Sequence, residues 1–354
     1  MKINKVEYFR LEMPLSAPYT IAYETVSHST NIILKLVTET GITGWGCAAP
    51  DLIITGERSE DVLYNIENVL VEVLEGGSPF RIAMINRILK ERIPGAKSTM
   101  AMADMALYDI LSRKAGLPLY QLLGGYRESI PTSITVGIMG VKETVEQVGM
   151  YLKQGFSIIK LKGGICLSDD IEKVLKSREA HGMGFSLRFD ANQGYSMEES
   201  IDFIKKTECA EIEIFEQPTS LLKDDNMGEV TRNVGVPVMA DESIKTLKDA
   251  YRLASNNLID MVNIKLMKVG GIMESSHINS VAKAAGMEVM IGCLDECSLG
   301  ISAGLHFALS RPNIEFADLD GNIDLLNDPF SGLFRLEKGI LYPSGDAGLG
   351  EINI

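Results

Sequence analysis

The sequence predicts an α/β protein, a (β/α)7–8 barrel of the TIM type with an N-terminal α+β capping domain completed by the C-terminal tail. Three observations carry this. Apolar, strand-like segments end at residues 162, 190, 216, 241, 265, 292 and 318, an interval of 24 to 28 residues that suits one strand, one helix and their loops. The first 125 residues show no such alternation: strands come first and helices follow. No Gly-rich dinucleotide fingerprint marks the repeats, so a doubly wound sheet, which shares the local signature, is the weaker reading.

In chain order, residues 2–11 and 29–37 read as strands, and Gly41-Ile42-Thr43-Gly44-Trp45-Gly46 reads as a turn into a third short strand. Residues 60–74 and 98–115 carry apolar side chains at three-to-four spacing and read as helices. From about 131 the barrel strands are expected at 133–138, 157–162, 185–190, 211–216, 236–241, 261–266, 287–292 and 314–318. Helical segments such as 141–154 and 273–285 lie between them. The expected division is 1–125 for the cap, 126–320 for the catalytic barrel and 321–354 for a segment that returns to the cap.

With 354 residues, two domains or one large barrel are expected. The 34 basic and 48 acidic residues leave a net charge of −14, which argues against nucleic acid or an anionic membrane as partner. Five scattered cysteines make a disulfide framework improbable and fit a reducing compartment. The start Met1-Lys2-Ile3-Asn4-Lys5 has no signal-peptide core, and no apolar run reaches the roughly 20 residues of a membrane span. A cytoplasmic location is the expectation. Self-association into a homo-oligomer is left open.

Catalytic groups of such a barrel sit at the C-terminal strand ends. The ends here are Lys160-Leu161-Lys162, Asp190-Ala191-Asn192, Glu216-Gln217-Pro218, Asp241-Glu242-Ser243, Asn263-Ile264-Lys265 and Asp318-Leu319-Asp320. One acid after a strand is usually a helix cap. Three acids on three consecutive strands converge, so Asp190, Glu216 and Asp241 are candidate oxygen ligands for a hard cation, Mg²⁺ first and Mn²⁺ second. Lys160 and Lys162, two apart on one strand, point together, and their mutual repulsion beside a cation should lower a lysine pKa toward that of a general base. Lys265 stands nearly opposite Lys162. Thr135, on the first strand, should face the mouth.

These motifs, with Lys265-Leu266-Met267-Lys268-Val269-Gly270-Gly271, resemble the muconate-lactonizing subgroup of the enolase superfamily along essentially the whole chain. The resemblance implies that superfamily's established pattern, a lysine base with Mg²⁺ stabilising an enediolate. The histidine-base branch is disfavoured, because His28, His181, His277 and His306 fall at no strand end. Asp318-Leu319-Asp320 resembles the paired aspartates of dipeptide epimerases, in which the first acid holds the substrate's α-ammonium group. Ile54-Thr55-Gly56-Glu57 and Gly292-Cys293-Leu294-Asp295-Glu296 resemble segments of the same enzymes, which makes Glu296 a candidate contact to substrate.

The implied activity is Mg²⁺-dependent epimerisation of an L-Ala-L-Xaa dipeptide at the α-carbon of its C-terminal residue. Two-base 1,1-proton transfer would run between Lys162 and Lys265, with Lys160 supporting the base or touching the carboxylate. Ala-Glu is the leading substrate. Yet by alignment Ala-Glu enzymes carry an arginine where this chain has Glu24, in the loop Pro18-Tyr19-Thr20-Ile21-Ala22-Tyr23-Glu24-Thr25. Either another cation such as Arg58 takes over, or neutral or basic second residues are accepted. The alternatives are an o-succinylbenzoate synthase or muconate cycloisomerase-like lyase, an N-acyl amino acid racemase, and a non-catalytic metal-dependent binding protein.

Overall fold

The computed structural model describes residues 1–20 and 25–354. Strands β1 (Ile3–Thr20), β2 (Thr25–Thr38) and β3 (Thr43–Ala48) form an antiparallel sheet in that order. β1 outruns the expected segment because its pairing with β2 resumes after a register shift between Pro14 and Tyr19. The helix Lys97–Ala115 lies across the sheet, and a Cβ on Gly44 or Gly46 would strike the carbonyls of Ala106 or Met102. Only glycine permits that approach. The expected helix at 60–74 runs from Ser59 to Leu74 with a π-helical turn at Ile66–Leu70, and a helix not expected from sequence, Ile82–Arg92, packs beside it.

After the two-residue β4 (Ile130–Pro131) come eight parallel strands. They are β5 (Ile134–Val136), β6 (Ile158–Lys162), β7 (Ser186–Asp190), β8 (Ile212–Glu216), β9 (Val238–Ala240), β10 (Met261–Lys265), β11 (Glu288–Gly292) and β12 (Ile314–Asp318). Each pairs with its sequence neighbour, and the ring closes through a bridge between Thr132 and Ala317. All eight match the sequence expectation. Their interiors are near-continuous apolar runs because helices cover the outer face. Met261 and Met290 are buried inside the ring with Ile214 and Met239.

The tail makes contacts at both ends of the barrel. Leu326 N–H donates to Pro14 O of β1, at 2.9 Å. The hairpin β13 (Phe334–Glu337) and β14 (Ile340–Pro343) then pairs with β4, and Gly348 O accepts from Leu119 N–H. No helix among the described residues is long and apolar enough to cross a membrane.

The cap is fixed over the C-terminal strand ends by polar contacts. Asn31 of β2 donates to Asp295 O (3.0 Å) and accepts from Cys297 N–H (2.8 Å). Tyr19 Oη donates to Asp295 Oδ2 (2.8 Å), Ile138 N–H donates to Thr20 O (2.7 Å), and Lys245 Nζ donates to Ile53 O (3.2 Å). Asp104, on the cap helix Lys97–Ala115, accepts from Ile272 and Met273 N–H at the start of the barrel helix Ile272–Ala284, and from Asn86 Nδ2. Asp104→Ala would strand those buried donors. It is expected to cost about 2 kcal/mol, read as a lower denaturation midpoint at unchanged m-value. An unchanged midpoint would show that the contact holds nothing together.

Candidate active site

β6 delivers two lysines. Lys160, 2% exposed, places Nζ 2.6 Å from Asp318 Oδ2, 3.0 Å from Glu216 Oε2 and 3.3 Å from Asp190 Oδ2. Lys162 reaches Asp190 Oδ2 at 2.6 Å and is slightly more open. Four strands on, hence across the ring, Lys265 Nζ lies 2.8 Å from Asp241 Oδ2.

At Lys160 this arrangement reverses the expected lowering of the pKa. Burial alone would lower the Lys160 pKa, but Asp318, Glu216 and Asp190 surround the ammonium and hold it well above the ordinary lysine value. Lys265 is likewise raised, burial being outweighed by Asp241. The sequence reveals the two like charges; strand register supplies the carboxylates that face them.

The acids respond in kind. Burial pushes Glu216 up to about 7, with Asp190 and Asp241 adding to the effect, so the three strand-end acids sense one another. Burial would also raise Asp190 and Asp241, but the lysines beside them hold both below the usual range. Among the described residues no three His, Cys, Asp or Glu side chains are gathered into a ready cage; the acids lean on ammonium groups instead. Their chemistry nonetheless suits a hard divalent cation. All candidate donors are oxygens. Asn192 Oδ1, Glu242 Oε2 and Asn263 Oδ1 are buried acceptors with no hydrogen-bond partner, and Asp241 Oδ2 has only its ion pair to Lys265. Such a surplus of acceptors at adjoining strand ends is offset by positive charge.

The remaining candidates divide. Asp318 accepts from Ser133 Oγ at 2.5 Å and from Lys160, and although burial would raise it, Lys160 and Ser133 bring it down to about 2. Asp320 accepts from Thr135 N–H at 2.7 Å, and burial beside Asp318 pushes it up to about 6. Thr135 is therefore tied to Asp320. Glu296 is buried in the loop after β11, accepts from Leu294 N–H at 3.0 Å and is raised to about 7 by burial. Glu24 lies outside the described residues. Arg58 is exposed at the start of the helix Ser59–Asn65.

Several residues here had no role in the sequence reading. Lys268, fully buried, contacts Asp241 Oδ1 at 2.5 Å and also donates to Asp241 O and to Asn263 O. Its sequence signal is its place three residues after Lys265 in the motif Lys265-Leu266-Met267-Lys268-Val269-Gly270-Gly271, a place to which no role was assigned. Gln217 accepts from Asp241 N–H and Ser243 N–H and donates to Ser243 Oγ, which continues the β8–β9 pairing past the end of the strands and sets Asp241 in place. Asn263 Nδ2 holds Glu216 Oε1 at 2.7 Å.

Residues 4–124 match the family described as mandelate racemase / muconate lactonizing enzyme, N-terminal domain, and residues 143–352 match the enolase C-terminal domain-like family. The chain is 38% identical to the L-Ala-D/L-Glu epimerase of Bacillus subtilis, over 99% of this chain and 97% of that protein. It is 37% identical to the L-Lys-D/L-Arg epimerase of Desulforapulum autotrophicum, over 99% of each. The solved dipeptide epimerase from Enterococcus faecalis V583, complexed with Mg and the dipeptide L-Leu-L-Tyr, is similar at a TM-score of 0.96 and 37% identity, covering 99% of both chains.

Proposed function

The chain belongs to the mandelate racemase / muconate lactonizing enzyme family of the enolase superfamily, as an isomerase of amino acid derivatives, and on that premise we propose a Mg²⁺-dependent dipeptide epimerase. The reaction inverts the α-carbon of the C-terminal residue of an L-Ala-L-Xaa dipeptide, with Ala-Glu the leading substrate. The observation that supports this most is the placement of Lys162 and Lys265 on opposite walls of one acid-lined mouth, with Asp318 and Asp320 beside them.

Asp190, Glu216 and Asp241 would hold the cation, Mg²⁺ as in the Enterococcus structure or Mn²⁺. When bound, it neutralises the negative charge that builds on the substrate carboxylate as the α-proton leaves. Lys162 takes the proton from one face, and Lys265 returns one to the other. The reverse passage exchanges their roles. Lys160 contacts the carboxylate end, while Asp318 accepts the α-ammonium group and Asp320 supports it.

A second reading of the side-chain preference rests on Leu52 and Ile53. Both are about half exposed in the cap loop whose Ile53 O meets Lys245 at the barrel rim. Apolar side chains there favour an apolar second residue over glutamate. A mass-spectrometric screen of L-Ala-L-Xaa dipeptides in deuterated water separates the two, because each turnover places one deuteron at an α-carbon. Blocking the amine by acetylation is expected to lower kcat/KM at least about tenfold, through loss of a charge-assisted bond. An N-acetyl dipeptide processed as fast as the free one would replace this reading by N-acyl amino acid racemisation. Absence of turnover across the whole library, with a thermal shift by Mg²⁺ and dipeptide, would replace it by a binding function.

A further inference from the structure

We infer that Ser133 is a positioning residue: it aims Asp318 at the substrate's α-ammonium group, and Arg188 commits the serine proton to that task. The inference deepens the proposed function and rests on Asp318 as the ammonium acceptor.

Ser133 is fully buried, immediately before β5. Its hydroxyl has one proton to donate and two lone pairs. Arg188, buried on β7, sends Nη1 to within 3.4 Å of Ser133 Oγ and 3.1 Å of Ala317 O, while its Nε is tied to Glu213 Oε2 at 2.7 Å. A guanidinium stays protonated and has no acceptor, so its contact with Ser133 takes a lone pair and leaves the hydroxyl proton free. Two acceptors compete for that proton. Ala317 O is 3.4 Å away and already receives Arg188; Asp318 Oδ1 is 2.5 Å away and charged. Asp318 wins on distance and on charge.

The consequence concerns rotation of the carboxylate. With Oδ1 held by Ser133, the other oxygen, Oδ2, is turned to the centre of the site, where it meets Lys160 Nζ at 2.6 Å. An incoming ammonium group has to find that same oxygen. Without the serine hydroxyl the carboxylate is held by Lys160 alone and gains freedom to turn about its Cβ–Cγ bond, so part of its ammonium affinity goes into restoring the orientation.

The test compares two ligands on the Mg²⁺-loaded protein by calorimetry: the L-Ala-L-Xaa dipeptide that the screen ranks first, and its N-propionyl-L-Xaa counterpart, which has the same shape without the amine. Their affinity ratio measures ammonium recognition. Ser133→Ala is expected to cut the ratio about tenfold, with the N-propionyl affinity unchanged, KM for the dipeptide raised and kcat nearly constant. Ser133→Thr, which keeps the hydroxyl, should restore most of the ratio. Asp318→Asn serves as the reference and should abolish the preference for the free amine. If it does not, the ammonium reading of Asp318 fails. If Asp318→Asn abolishes the preference while Ser133→Ala leaves it intact, or if Ser133→Ala weakens both ligands equally, the role given to Ser133 is overturned.

Discussion

Replacing Asp190 or Asp241 by Asn, or Glu216 by Gln, is expected to lower epimerisation by at least about 10³-fold, because each amide removes a negative charge that would hold the cation, and the cation is what neutralises the substrate carboxylate. The three variants should differ in stability. Lys160 contacts three acids, so Asp190→Asn and Glu216→Gln each leave it two carboxylate partners, although Asp190→Asn also takes from Lys162, the less buried lysine, its acid at 2.6 Å. Asp241 is different: among the described residues it is the only acid within ion-pair reach of Lys265 and of the fully buried Lys268, so two ammonium groups depend on it. Its loss leaves two ammonium groups buried without a close counter-ion, which costs about 3 kcal/mol. All three should bind Mg²⁺ more weakly by calorimetry, and Asp241→Asn should also unfold at lower denaturant. Undiminished turnover in excess chelator would overturn the metal assignment. Equal stability of the three variants would show that Lys268 does not depend on Asp241.

The barrel was legible because a parallel strand covered by helices on the outside needs an unbroken apolar run, and the run stops where a charged residue can reach the mouth. Ile158-Ile159 before Lys160 and Ile214-Phe215 before Glu216 show this directly. The strand-end acids were legible for the same reason. What escaped depends on register across the ring. Ser133 meets Asp318 over 185 positions of sequence, and Gln217 meets Asp241 over 24; neither pairing leaves a local trace. The helix Ile82–Arg92 escaped because the stripe it buries, Ile82, Ile85, Asn86 and Leu89, includes a polar residue whose partner is Asp104 of another helix. The balance of charge around Lys160 escaped too, since burial and its three acid neighbours are set by the closed barrel, not by the spacing to Lys162.

Lys162→Met and Lys265→Met should each abolish epimerisation, by about 10³-fold or more, while leaving one half-reaction alive. With one base gone, the survivor still takes and returns a proton on its own face, so one epimer of the dipeptide should exchange its α-proton with deuterated water and the other should not. The two variants should retain opposite epimers. The surrounding contacts indicate that both will fold, because each lysine's acid keeps a second ammonium partner: Asp190 retains Lys160 at 3.3 Å, and Asp241 retains Lys268 at 2.5 Å. Loss of exchange therefore cannot be assigned to an uncompensated buried carboxylate. Proton exchange followed by nuclear magnetic resonance, starting from each pure epimer, reads the outcome directly. If both variants lost exchange of both epimers to the same extent, the two lysines would be acting as one unit and the division of faces between them would be wrong. If Lys160→Met instead abolished exchange of one epimer alone, Lys160 would be the base on that face, and Lys162 the supporting ammonium.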